Sequence, residues 1–442
     1  MKPYLLDQGR STLKPPMGVP RVKYSAFDLR VGEHREMVGK DRFFSDLGRS
    51  YKPGIITEIV LAAFEMAKKG KKLISLTGGS YDPPSLPVAE IREVLQEVPD
   101  TAWREILQYG SNQGYWRLRD ALSKFMKGSE ITVDPEREVL VTTGSQQALD
   151  LISRVFINEG DIIGVGSPTY LAALSAFKQF SPRFLTIPVG DEGLNLGALE
   201  EELERLRREG KGMKMLYVVP SFQNPTGVVM PQPNRRRLLE MAEEHDFLIV
   251  EDNPYGYIAF EGEPPTPIKA FDEGGRVIYL STFSKIVSPG LRIGWVAAEE
   301  EIVKKLAIAK SAVDLCSDGL SQYVASELLS RGVVERQVRK VTDVYREKRD
   351  LMLESMEVYF PKEAEWNRPR GGLFLWVRLP EGVDASEMVF EAVERGVAYI
   401  PGSNFFTDPS KTNYMRLNYS FPSKEGIVEG IKILGDLLKE RV

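Results

Sequence analysis

Ser281-Thr-Phe-Ser-Lys-Ile-Val-Ser-Pro-Gly-Leu-Arg-Ile-Gly-Trp295 is the stretch from which the rest of the chain can be read. The apolar run Val277-Ile-Tyr-Leu280 in front of it predicts a buried strand, and Ile293 to Ala298 predicts another. Lys285 follows the first strand closely. Thr282 and Ser284 lie beside it, the turn Ser288-Pro289-Gly290 comes after it, and Arg292 lies beyond the turn. A lysine just past the end of a buried strand stands in a crevice, where desolvation lowers its pKa and frees the amine as a nucleophile. Two hydroxyls and a guanidinium fork are donors suited to a phosphate. A nucleophilic lysine beside a phosphate cradle points to a Schiff base with pyridoxal phosphate (PLP). From the lysine alone, a surface residue in a strand-turn-strand reads more readily, because most lysines are exposed.

Upstream, Glu138-Val-Leu-Val-Thr-Thr143 predicts a strand that passes through Gly144 into a helix over Ser145–Phe156, capped by Ser145. Strand, glycine and a hydroxyl at a helix N-terminus make an anion site, since free N–H groups and the helix dipole converge there. Many β-α connections share that pattern. Asp161–Val165, Lys214–Val219 and Phe247–Val250 predict further strands, with helices such as Arg235–His245 between them. Past their ends come Tyr170, the loop Pro220-Ser-Phe-Gln-Asn-Pro-Thr-Gly227, and Glu251-Asp252 with Tyr255 three residues on. The alternation from 138 to 298 predicts an α/β fold with a parallel, doubly wound sheet, whose ligand sits at the strands' carboxyl ends. Gly144–Ser145, Tyr170, Asn224, Asp252 and Lys285 share that address.

Before this region, Thr57–Lys69 predicts a helix and Leu73–Leu76 a short strand. The strand runs into Thr77-Gly78-Gly79, where the glycines let another group approach the backbone. After about residue 300 the pattern changes. Helices over Glu301–Ala312 and Gln322–Met356, strands over Gly371–Val377 and Met415–Tyr419 (the latter half-buried), and a closing helix over Ile427–Lys439 predict a smaller α+β domain. Residues 1–45, with prolines at 3, 15, 16 and 20, read as an extended arm.

A chain of 442 residues has room for two domains with sizeable cores. A net charge of −5 without runs of like charge argues against nucleic acid and anionic membranes as partners. Cys316 is the single cysteine, so no intrachain disulfide is possible and a reducing, cytoplasmic location is expected. No run of 18 apolar residues is present, and the first residues lack the apolar core of a signal peptide. With only His34 and His245, neither a histidine zinc site nor a Ser-His-Asp triad is expected, and no metal is assigned.

Taken in order, the motifs resemble those of the PLP-dependent fold-type I aminotransferases, class I/II, and most closely their kynurenine/2-aminoadipate branch. They are Thr143-Gly-Ser-Gln-Gln-Ala148, Gln223-Asn-Pro-Thr-Gly227, Glu251-Asp-Asn-Pro-Tyr255, Ser281–Ile286 with Gly290-Leu-Arg-Ile-Gly294, Gly371–Trp376 and Tyr414-Met-Arg-Leu417. They span roughly residues 50 to 440. The resemblance implies a large PLP-binding domain (76–325), a smaller domain from an N-terminal part (46–75) and a C-terminal part (326–442), and an arm (1–45). It implies that Lys285 carries PLP and shuttles a proton between substrate and cofactor, and that Asp252 pairs with the pyridine nitrogen. Asn224 and Tyr255 would bind the phenolic oxygen. Ser145, Gln146, Thr282, Ser284 and Arg292 would hold the phosphate; threonine at 282 replaces the commoner serine but keeps the hydroxyl. Tyr170 would stack on the ring, Gly79 would admit the substrate, and Arg416 would clamp its α-carboxylate. Tyr109 would reach the phosphate of a neighbouring subunit, which implies a homodimer with shared sites.

One departure bears on specificity. Relatives that accept acidic side chains carry an arginine at the start of the first helix, where this chain reads Pro53-Gly-Ile-Ile-Thr57; the nearest arginine is Arg49. Burying a second carboxylate without a cation is costly. The expected donors are therefore aromatic or large aliphatic amino acids, with 2-oxoglutarate as acceptor. A 2-aminoadipate or broad-specificity transaminase, a PLP β-lyase, and a non-catalytic PLP-binding sensor are the alternatives.

Overall fold

The computed structural model describes residues 41–51, 57–59, 61, 62, 68, 70, 72–408 and 410–442. Most of the arm and the Pro53–Ile56 stretch lie outside them, as does part of the helix expected over 57–69. The residues described within that last span, except Gly70 just past it, are helical. The chain divides into two units at Tyr51. In the first, Ser45 caps a short helix, Asp46–Ser50, by accepting from Gly48 N at 3.0 Å.

The second unit opens with β1 (Ile74–Ser75) and then builds a sheet from β2 (Val139–Thr143), β3 (Ile162–Ser167), β4 (Arg183–Gly190), β5 (Gly193–Leu194), β6 (Met215–Val218), β7 (Leu248–Asp252), β8 (Val277–Thr282) and β9 (Ile293–Ala297). Their spatial order is β2-β9-β8-β7-β6-β3-β4-β5. Every residue of β6, β8 and β9 is buried, so these apolar runs have both faces covered. From β8 through β7, β6 and β3 to β4 the pairing is parallel, and β9 runs antiparallel between β2 and β8. The reversal follows from chain length: Phe283–Arg292 is too short for a crossover helix, and only antiparallel neighbours can be joined so directly. The sheet is therefore mainly parallel, as expected, with β9 and β5 running against their neighbours. β2 still points the same way as β8, so the carboxyl ends of β2, β3, β6, β7 and β8 lie along one edge.

A second, antiparallel sheet contains β10 (Glu365–Trp366), β11 (Phe374–Arg378), β13 (Ile400–Pro401) and β14 (Tyr414–Asn418), in the order β10-β11-β14-β13. β1 pairs in parallel with β12 (Val397–Ala398), which ties the early part of this unit to its C-terminal part. Two local expectations are corrected. The helical run from Gln322 to Met356 is two helices, Gly319–Ser330 and Val333–Tyr359. They are separated at Gly332, whose φ of +63° interrupts the helical path. β14 does not alternate between core and solvent: Met415 to Asn418 are all buried.

Candidate active site

Ser145, Tyr170, Asn224 and Lys285 follow strands that end on the same edge, and Asp252 ends a fifth. β8 ends at Thr282, and the turn after it carries Lys285. Lys285 Nζ donates to the Gly79 carbonyl at 2.7 Å. Burial, reinforced by the charges of Arg416 and Arg292, lowers its pKa to about 8, with Asp252 opposing. A large part of the amine is therefore neutral only slightly above neutral pH. Gly79 is required at its position: a Cβ there would stand 2.8 Å from the Phe374 ring and 3.4 Å from Lys285 Nζ.

Asp252 closes β7 and is buried. Its Oδ2 accepts from the Tyr217 hydroxyl at 2.7 Å, while Oδ1 has no hydrogen-bond partner among the described residues. Burial raises the carboxyl pKa to about 6; the Tyr217 hydrogen bond and the charge of Lys285 work against the rise. Asn224, in the loop after β6, donates from Nδ2 to the Tyr255 hydroxyl at 3.3 Å and accepts at Oδ1 from Arg416 Nη1 at 2.8 Å. That loop is braced from behind by Arg235, which is 1% exposed. Its guanidinium donates to the Met230, Pro220 and Thr266 carbonyls and to Ser221 Oγ, 3.9 Å from the buried carboxylate of Glu251.

Arg416 lies on β14, facing Phe374 at 4.0 Å and Phe405 at 4.9 Å from the ring centres. Its Nη2 donates to the Thr77 carbonyl at 2.5 Å, and its Nε is buried without a partner among the described residues. Burial lowers its pKa to about 10, which leaves it charged at neutral pH. Tyr170 precedes the helix Leu171–Lys178 as its N-cap; burial, reinforced by the charge of Asp252, pushes its hydroxyl up to about 12.

At the phosphate end, Gly144 rather than Ser145 is the N-cap of the helix Ser145–Phe156, with φ +73°. Ser145 and Gln146 occupy the first helical positions, whose N–H groups no helical carbonyl can satisfy. Gln146 Nε2 reaches the Ala172 carbonyl at 3.4 Å. Thr282 Oγ1 bridges Ser284 Oγ and the Ile293 carbonyl, each at 3.0 Å. Arg292 Nη2 donates to the Thr143 carbonyl at 3.2 Å, and its tip lies where a Cβ on Gly144 would stand. Tyr109 is set apart. It is 79% exposed and makes none of the contacts that tie the others together.

Tyr217, Phe374, Phe405 and the Thr77 carbonyl belong to the cluster and were not singled out by sequence reasoning. The donor set fits PLP. The buried, unpartnered Oδ1 of Asp252 could accept from a pyridinium N–H, and a helix N-terminus, two hydroxyls and a guanidinium could bind a phosphate.

Fold and donor set are those of a PLP-dependent enzyme. Residues 71–434 match the family described as aminotransferase class I and II, and the chain belongs to that family. It is 46% identical over 402 residues to aromatic-amino-acid aminotransferase 1 of Thermococcus litoralis, covering 91% of this chain and 95% of that one. It is 42% identical over 370 residues to 2-aminoadipate transaminase of Thermus thermophilus, covering 83% and 90%. The crystal structure of Pyrococcus horikoshii kynurenine aminotransferase superposes with a TM-score of 0.86 at 42% identity, covering 91% of this chain and 98% of that one. The protein is an aminotransferase with PLP as its cofactor.

Proposed function

We propose that this aminotransferase takes its amino group from aromatic or large aliphatic amino acids and passes it to a 2-oxo acid such as 2-oxoglutarate, in a cytoplasmic homodimer. The observation that carries the donor preference is the supply of cations. Among the described residues of the cluster, Arg292 lies at the phosphate end, which leaves Arg416 as the guanidinium for a carboxylate. A donor whose side chain ends in a second carboxylate would bury that charge without a partner. The 42% identity to a 2-aminoadipate transaminase supports the competing reading, an enzyme that accepts acidic donors.

In this reading, bound PLP supplies an aldehyde carbon that exchanges amino groups and a pyridinium that draws electrons from the substrate Cα. The chain's residues do the rest. Lys285 Nζ, partly neutral near its pKa of about 8, would hold the cofactor and is placed to move the proton at the substrate Cα. The Gly79 carbonyl accepts from that nitrogen and would keep it in place whenever it is a free amine. Asp252 Oδ1 would accept from the ring nitrogen, and Tyr170 would pack on the ring. Asn224 and Tyr255 would hold the phenolic oxygen. Arg416 grips the α-carboxylate with Nε and its remaining N–H groups, while Asn224 and Thr77 fix the plane of the guanidinium. Ser145, Gln146, Thr282, Ser284 and Arg292 hold the phosphate. The exposed Tyr109 is assigned to the phosphate of a second subunit. Segments 46–75 and 326–442 are assigned to a smaller domain beside 76–325, with 1–45 as an arm. Among the described residues no helix is long and apolar enough to cross a membrane.

The experiment is a stopped-flow absorbance titration of the PLP-loaded protein with phenylalanine, leucine, glutamate and 2-aminoadipate. Faster loss of the cofactor's visible band with phenylalanine or leucine supports the proposal. Faster loss with 2-aminoadipate or glutamate refutes it. An active monomer in sedimentation would remove the shared-site assignment.

A further inference from the structure

We propose that Tyr217 is a positioning residue for the cofactor. By occupying Asp252 Oδ2 it reserves Oδ1 for the pyridine nitrogen and keeps the carboxyl group ionised. The inference rests on the PLP assignment of the site and concerns a residue within the sheet, behind the groups that would touch the cofactor.

Tyr217 lies in the middle of β6 and is fully buried. The β6–β7 register pairs it with Val250. Asp252, two residues further along β7, therefore projects from the same face, one diagonal step away. The hydroxyl closes that gap at 2.7 Å, and no other donor reaches the carboxylate among the described residues. The ring is held edge-on against buried Phe177, with centroids 5.5 Å apart and planes at 75°, so the hydroxyl has little freedom to turn elsewhere. Burial and the neighbouring carboxylate raise the phenol pKa well above its ordinary value, so Tyr217 acts as a donor throughout the working pH range.

Chemistry makes this arrangement directional. A carboxylate in a dry site needs a donor to stay ionised. The phenol provides one without adding a charge. It engages one oxygen and leaves the other, still unpartnered, for a ring nitrogen. Without the hydroxyl the carboxyl group would hold its own proton more tightly. It would then compete with the ring nitrogen for the shared proton, and a ring without that proton would draw electrons less strongly.

The test compares wild type with Tyr217→Phe, which keeps the ring packing and removes only the hydroxyl. PLP labelled with a heavy nitrogen isotope in the ring reports by NMR whether that nitrogen is protonated, independently of turnover. In wild type the nitrogen should remain protonated at mildly alkaline pH. In Tyr217→Phe the shared proton should lie more on Asp252, so the nitrogen shift should move toward its unprotonated value already at neutral pH, with PLP affinity weakened about tenfold, as expected for one charge-assisted hydrogen bond. The half-reaction with phenylalanine should slow by a similar factor at unchanged KM. Identical nitrogen shifts in the two proteins across the pH range would overturn the proposal. Phe177→Leu loosens the packing; if it reproduced the Tyr217→Phe shift while a crystal structure showed the Tyr217 hydroxyl still bonded to Asp252, packing would be the cause and the proposal would fail. If wild type itself bound no PLP, the failure would lie with the site assignment.

Discussion

Replacing Lys285 with methionine should make the cofactor-free protein more stable at neutral pH. Burial and two nearby guanidinium groups bring the ammonium pKa from 10.5 to about 8. That shift costs the folded state about 3 kcal/mol at neutral pH. The sign follows from proton binding. Between pH 8 and 10.5 the unfolded chain holds a proton that the folded chain has released, so wild-type stability rises with pH across that window. Below the window the cost is constant. Methionine is of similar length and uncharged, so it avoids the cost. It gives up the hydrogen bond to Gly79 and withdraws a charge that helps Asp252 ionise, which together return about 1 kcal/mol. The net gain is about 2 kcal/mol, equivalent to about 2 °C in Tm for a chain of this length. Thermal melts of both cofactor-free proteins, stepped from neutral to strongly alkaline pH, should show the gap at neutral pH and its closure toward the alkaline end. A variant that melts below wild type at neutral pH, or a gap that stays constant, would refute the account of a destabilised, reaction-ready amine.

Gly79→Ala would push a methyl group against the Phe374 ring and toward Lys285 Nζ, so kcat/KM for amino donors should fall about 10- to 100-fold while PLP still binds; steady-state kinetics with a PLP titration would check both parts. Arg235→Met removes a donor from three carbonyls and leaves the buried Glu251 carboxylate, still bound by the Ile268 and Lys269 N–H groups, without its cation; the melt should drop by about 3–5 °C, following the about 3–5 kcal/mol typical of breaking a buried pair.

The strand-end residues could be read from the sequence because each stands where an apolar run stops. Lys285, Asp252 and Asn224 are polar groups at such boundaries, and a parallel sheet gathers those boundaries on one edge. Tyr217 and Phe374 carry no comparable signal. Each lies inside an apolar run, where an aromatic reads as core, and its part in the site depends on register: Tyr217 reaches Asp252 only because it pairs with Val250. Thr77 contributes a carbonyl, which its side chain does not announce. The direction of β9 was legible only in the short link before it, because the two adjacent apolar runs look the same whichever way the second one travels. The break at Gly332 was hidden because apolar periodicity continues on both sides of it, and only the backbone angle reveals the change of axis.

The direct link between β8 and β9 also limits how this protein can vary. Elsewhere along the edge, strands are joined through helices and surface loops, which absorb added or lost residues. Phe283–Arg292 joins two paired strands whose register sets Ser281 against Trp295 and Thr282 against Gly294. One inserted residue would make β9 slip and turn the buried indole of Trp295 away from Phe283 and Phe125. The same slip would shift Arg292 relative to Gly144. A library of single-residue insertions should therefore show a gap over this segment. There the chain cannot be lengthened, and the reach of its reactive lysine is fixed by the reading frame of the sheet.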